Sequence, residues 1–483
     1  MVALVAAPLA RIQFSSVLDN DAGNATWLTY AGGVFLTATV LWWLLIIRPQ
    51  RITPMRGAVT GVLVALFSYP VVLLLAEIFQ RDWEALINVA TLAGRLLNLL
   101  LISGLTFLTT GLAATLTMAV TGALIGWMTP RFDPSLAVAS EARKGGGLLR
   151  RIFRILGGLA VTIVVLLLGG FIWLSVLPFR TDGITNAPVT PPAKTYEAAL
   201  AAFASVEAAE AELPLNPRCH SQMLSHGQKT ARVVIYFHGL TTCPAQADTL
   251  APQLFALGYN VYVPRLPGHG EADPLTLALA SLKAEELVAT ADSAIALAHG
   301  LGDDVVVSGL SAGGTLAAWV AQNRGDVANT VVISPFLAPY SVPPWANHAA
   351  TNLLLMLPNI MMWWDASHPE SSPEMSYAYP RFATRALAEV MRLGGIVQAE
   401  ANRTAPAAGD IGMLLNAGDT TISEALNYDL LTAWSARRQD VALQVLPVDL
   451  GVGHDIIDPN QADANIAGVY PVLIDMIAGP DGP

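Results

Sequence analysis

Apolar positions along this chain fall into two patterns. In the first 180 residues they run on unbroken. Residues 27–47, 57–75, 96–128 and 155–177 each lack any Asp, Glu, Lys or Arg. Each is near the roughly 20 residues a helix needs to cross a bilayer. The pattern predicts an all-α transmembrane region of about four helices over residues 1–180. Further on, short β-branched and aromatic runs alternate with helix-period segments. Strands are predicted at 231–237, 260–264, 304–308, 330–334, 411–416 and 441–447. Helices are predicted at 249–257, 279–300, 313–324, 423–437 and 460–477. Such alternation implies a mostly parallel sheet with helices on both faces. It breaks between residues 336 and 410, which reads as an inserted helical cap. Residues 181–212 read as a linker with Pro188, Pro191 and Pro192, followed by an Ala- and Glu-rich helix. Residues 213–483 form the α/β part.

Charge sharpens this division. Charged residues are only 13% of the chain, and mean hydropathy is +0.50, where an ordinary soluble domain has about 25% charged residues. Residues 1–180 hold 13 Lys+Arg and 7 Asp+Glu; the remainder holds 13 and 30. An acidic back half repels phosphate backbones, so no nucleic-acid partner is expected. The basic residues of the front cluster at Arg48–Arg56 and Arg131–Arg154. Excess Lys and Arg mark cytoplasmic loops. Both loops are cytoplasmic if there are four crossings, which puts the chain after about Phe179 outside the cytoplasm. Residues 1–26 lack the basic start and apolar core of a cleavable signal peptide. No charge pairs stand inside the apolar runs, so the front reads as an anchor in membrane lipid and not as a transport pathway.

Candidate chemistry lies in the back half. Gly309-Leu310-Ser311-Ala312-Gly313 stands between a predicted buried strand and a helix. Small residues there let the chain turn sharply and project the serine oxygen above the sheet. A nucleophilic serine needs a base, and the base needs an orienting group. His454, in Gly453-His454, follows the last predicted strand and so reaches the same rim. Asp419, in Ala417-Gly418-Asp419-Thr420-Thr421, follows the preceding strand; Asp449 and Asp455 are its rivals. The order Ser311, Asp419, His454 suits a catalytic triad. Backbone N–H groups of Leu240, after His238-Gly239, and of Ala312 are the expected oxyanion donors. Cys219 and Cys243 are the only cysteines. In an oxidising compartment they can pair, adding roughly 3 kcal/mol in the chain-entropy view.

With Phe237-His238-Gly239-Leu240, Arg265-Leu266-Pro267-Gly268-His269-Gly270, Gly309–Gly313, Ala417–Thr421 and Gly453-His454, the chain from about Arg218 to Ile477 resembles the α/β hydrolases. Within them it is similar to the monoacylglycerol-lipase and carboxylesterase group with a cap domain. The resemblance implies a serine hydrolase with a Ser–His–Asp triad, no metal and no cofactor. Two features depart from the common family: the membrane front, and the oxyanion loop continuing as Thr241-Thr242-Cys243-Pro244. The cap carries Met361, Trp363 and Trp364. These are candidate contacts for an apolar acyl group, which predicts a lipid-like or small ester substrate such as a monoacylglycerol or lysolipid. Two other readings stay open. One is an aminopeptidase that holds a substrate amine with Asp365, Glu370 or Glu374. The other is a non-catalytic membrane sensor with a hydrolase-like domain.

Overall fold

A computed structural model describes residues 36–47, 56–64, 121, 124, 168–364, 377–438 and 441–479. The chain divides into two compact units, 1–176 and 177–483. In the first unit the described pieces are short helical segments. No helix among the described residues is long and apolar enough to cross a membrane. Of the four predicted spans only residues 36–47, 57–64, 121, 124 and 168–177 are among the described ones; the cap acids Asp365, Glu370 and Glu374 lie outside them.

The second unit is built on a seven-stranded sheet. Its strands are β1 (Gln222–Leu224), β2 (Thr230–Phe237), β3 (Asn260–Val263), β4 (Gly302–Leu310), β5 (Asn329–Ile333), β8 (Asp410–Asn416) and β9 (Val441–Leu446). The spatial order is β1-β3-β2-β4-β5-β8-β9. Only β1 runs antiparallel, pairing Met223 with Tyr262. The central parallel strands bury both alternating sets of side chains. Val233, Ile235 and Phe237 are as buried as Val234 and Tyr236, so both faces of the sheet are covered. Helices α2 (Leu250–Ala256) and α8 (Ile466–Ala478) close one face with Leu250, Leu254, Tyr470 and Leu473. This is the mostly parallel, helix-covered sheet that the alternation predicts.

Ahead of the sheet, α1 spans Tyr196–Ala211. The predicted helix 279–300 is two elements. A 3₁₀ turn, Ala278–Ser281, precedes α3 (Ala284–Ala298), where the Glu286 carboxylate accepts the Lys283 N–H and starts a new helix. Helix α4 (Ala312–Asn323) follows β4. Between β5 and β8 lies the insertion. It comprises α5 (Pro344–Met356), an antiparallel ribbon of β6 (Met361–Trp363) and β7 (Arg381–Ala383), and α6 (Thr384–Ala401). Helix α7 (Glu424–Ser435) joins β8 to β9.

Parallel pairing aligns the strand ends. Phe237 lies opposite Gly309, Leu310 opposite Ile333, and Asn416 opposite Leu446. The loops after β2, β4, β8 and β9 therefore leave one edge of the sheet together.

Candidate active site

Ser311 is the single residue between β4 and α4. Its backbone sits at φ 59° and ψ −116°, a strained conformation that persists only where its surroundings fix it. They do so by close backbone packing. A Cβ on Gly309 would stand 2.4 Å from the Gly313 carbonyl, and one on Gly313 would stand 2.1 Å from the Phe237 carbonyl. Ser311 N–H donates to Ile333 O (3.1 Å), and its carbonyl accepts from the N–H groups of Thr315 (2.8 Å) and Phe336 (3.1 Å). The side chain is thus held over the sheet edge, largely buried.

Asp419 and His454 are brought together from the ends of β8 and β9. Asp419 Oδ2 accepts from His454 Nδ1–H at 2.6 Å, and its Oδ1 accepts the Thr421 N–H at 2.8 Å. A carboxylate on Nδ1 fixes the proton there and leaves Nε2 with its lone pair. That Nε2 is buried and has no hydrogen-bond partner among the described residues. The rival acids stand elsewhere. Asp455 Oδ1 accepts the N–H groups of Ile457 and Asp458, and its Oδ2 accepts Gln246 Nε2 and Gln461 Nε2. Asp449 lies in a one-turn 3₁₀ helix after β9.

Two side chains that sequence reasoning missed hold these loops. Asn416, buried at the end of β8, accepts the Gly418 N–H at 3.0 Å. Its amide donates to Val452 O (2.9 Å) and Gly453 O (2.7 Å). It therefore ties the Asp419 turn to the His454 loop. The only signal for it was an Asn at a strand end before a turn. Gln246 does the same across the site. Its Oε1 accepts from Gly239 N–H and Tyr236 OH, and its Nε2 donates to Asp455. Nothing in the sequence marked it.

The segment after β2 is equally fixed. His238 Nε2 accepts the Leu266 N–H at 3.0 Å, so its proton sits on Nδ1, facing Gly239 O at 2.9 Å. Burial, and then the neighbouring His269, hold the His238 pKa well below its usual value. Burial pushes His269 down to about 4. Both rings are therefore neutral structural groups. Thr241 adopts φ 68°. From the cap, Trp364 Nε1–H donates to Thr241 Oγ1 (2.9 Å) and Tyr379 N–H to Thr241 O (2.8 Å). Cys219 and Cys243 form a disulfide, packed with Tyr377 and Ala378 of the cap. The bridge pins the loop three residues beyond Leu240.

These groups meet at a cavity of about 310 Å³ whose lining includes Leu240, Ser311, Ala312, Trp364 and His454. The Ala312 N–H belongs to the first helical turn, which has no intrahelical acceptor. Neither it nor the Leu240 N–H donates to another described residue. Of the three predicted cap contacts, only Trp364 lines the cavity. Trp363 turns to the Arg381 guanidinium across the ribbon, 5.9 Å from its ring centre. Met361 also sits on the ribbon, opposite Ala383. Neither lines the cavity, because alternation along a strand sends neighbours to opposite faces. A larger cavity of about 880 Å³ lies between α1 and α3, lined by small side chains such as Ala198, Ala202 and Ala294. It contains none of the predicted triad, so the chemistry belongs to the smaller one.

Residues 234–468 match the model of the alpha/beta hydrolase family. Several solved structures are similar over about half of the chain. One comes from the metagenome-derived lipolytic enzymes LipS and LipT, at 18% identity over 54% of this chain and 98% of the other, with TM-score 0.40. The monoacylglycerol lipase of Paleococcus ferrophilus gives 18% over 53% and 95%, with TM-score 0.41. A soluble variant of the monoglyceride lipase of Saccharomyces cerevisiae, in complex with a substrate analog, gives 14% over 53% and 88%, with TM-score 0.42. No curated protein matches the chain by sequence.

Proposed function

We propose that the α/β-hydrolase domain of this chain is a serine hydrolase of carboxylic esters with apolar acyl groups, anchored to a membrane by its apolar front. One observation carries the reading. His454, paired through Nδ1 to Asp419, keeps a bare Nε2 in the cavity that Ser311 lines.

In this reading the ester carbonyl enters between Ser311 and the Leu240 and Ala312 N–H groups. His454 Nε2 takes the proton as Ser311 Oγ attacks, and Asp419 stabilises the imidazolium. No hydrogen bond joins Ser311 Oγ to Nε2 beforehand; such bonds often tighten only with substrate bound. The two N–H groups receive the developing oxyanion. His454 then returns its proton to the leaving alcohol, and water releases the acid from Ser311 by the same steps in reverse order. Phe336, Leu387, Val390 and Trp364 give the cavity an apolar side for the acyl chain. Monoacylglycerols and lysolipids are the substrates that such a side and a membrane anchor suit. A screen across acyl lengths checks this; cleavage of acetyl esters alone would remove the lipid part. Anchoring rests on the four apolar runs and their flanking basic loops. The disulfide suits an oxidising, extracytoplasmic compartment.

The decisive experiment is fluorophosphonate labelling of detergent-solubilised protein beside Ser311→Ala. Labelling that vanishes in the variant identifies Ser311 as the nucleophile. A folded protein that does not label overturns the reading and favours a non-catalytic sensor.

A further inference from the structure

One charged group on the Ser311 cavity has no part in the reaction just described. Asp463 lies in the exposed loop before α8 and lines the cavity with His454. Gly453 makes room for it. A Cβ there would stand 2.3 Å from Asp463 Oδ2 and 3.4 Å from Oδ1, so the carboxylate rests on the backbone of the residue next to His454. Among the described residues no hydrogen bond or ion pair engages either oxygen. Asp455, the other carboxylate on the cavity, is fully used by its four donors. Among the described residues no Lys or Arg lines the cavity. Its described lining thus combines apolar side chains such as Phe336 and Leu387 with the unengaged carboxylate of Asp463.

Resting on the ester-hydrolase reading, we infer that Asp463 selects esters whose alcohol half carries a positive charge, an amino or quaternary-ammonium alcohol. With the acyl chain on the apolar side, the leaving alcohol lies on the side of His454, which protonates it, and so beside Asp463. A cation there gains Coulomb energy from an unpaired carboxylate in a domain where acids outnumber bases. The same charge repels the carboxylate product and favours its departure. Nothing in the hydrolysis changes: water is added, the ester yields its acid, and the alcohol leaves with its charge.

The test compares two phosphonothiolates that differ only in the leaving thiol, one ending in trimethylammonium and the other in the neutral, equally bulky tert-butyl. Ser311 Oγ bonds to phosphorus, the P–S bond breaks, and the serine proton passes through His454 to the departing thiolate. At low salt the cationic probe should react about two- to fivefold faster, the range for an exposed charge pair. Asp463→Asn should bring that ratio to about one and leave the neutral probe's rate within about twofold, and Asp463→Glu should keep the preference. Near 1 M salt, where screening acts over about 3 Å, the ratio should shrink. Equal rates in the wild type, or a ratio unchanged by Asp463→Asn, overturn the inference. So does an equal loss in Asp303→Asn, an exposed acid paired with Lys229, since the effect would then belong to the overall field. If neither probe labels wild type, the serine-hydrolase reading itself fails, and the selection built on it fails too.

Discussion

The Ser311 turn, at the end of β4 and against the end of β2, is held chiefly by backbone packed on backbone. Asp419 and His454, at the ends of β8 and β9, are held by side chains. On the first side, Gly309 and Gly313 leave no room for a single carbon. On the second, Asn416 reaches across with two hydrogen bonds and holds its own turn with a third, and Gly418 beside it meets nothing closer than 3.5 Å. The difference follows from what each side must hold. A strained φ at one residue needs rigid walls on every side. An imidazole and a carboxylate need only orientation, which hydrogen bonds supply in graded amounts.

The largest effect should come from Gly313→Ala. Its Cβ meets the Phe237 carbonyl, which cannot move without breaking β2 from β4. We expect a loss of about 3 kcal/mol or more in stability, together with loss of fluorophosphonate labelling. Gly418→Ala, the matched change on the other side, should cost less than about 0.5 kcal/mol. Urea unfolding of the two variants decides it. Equal sensitivity would erase the contrast between the two sides.

Asn416→Ala sharpens the comparison from the other side. It removes the acceptor for Gly418 N–H and both donations to the His454 loop, with Asp419 and His454 themselves intact. The expected result is a folded protein whose kcat on a p-nitrophenyl ester falls about 10- to 100-fold, as supporting contacts do around other catalytic groups, with KM little changed. A loss confined to KM, or none, would show that the β9 loop positions His454 without Asn416.

The same contrast explains what could be read from the sequence. The serine turn is local: a buried strand, two glycines and a helix start lie within a dozen residues, so Ser311 and Ala312 were legible. Asp419 and His454 were legible from their places after the last two strands. Asn416 was not, because its partners, Val452 and Gly453, are brought near only by β8 lying beside β9. Trp364 could not be separated from Trp363 without the ribbon, since β7 comes 18 residues after β6. The short antiparallel strand β1 gave no pattern, with only three residues, all half-buried.

The smallest effect concerns acid, and it again separates the sides. His238 and His269 stand behind the oxyanion loop with their rings edge to face at 5.0 Å. Both are buried and neutral, with His269 held at about 4 and His238 also well below its usual value. In the unfolded chain each returns to about 6.5. Between those values the unfolded state binds more protons, so stability rises with pH. Stability should therefore fall as pH drops from about 6.5 towards 4, by up to about 1.4 kcal/mol per pH unit for each ring. Carboxylates add their own slope only towards the lower end of that window. Urea midpoints measured from pH 7 to 4.5 should decline in wild type and decline less steeply in His269→Asn. An unchanged slope would mean that acid weakens the molecule elsewhere, and the oxyanion side would lose its claim to be the acid-sensitive half.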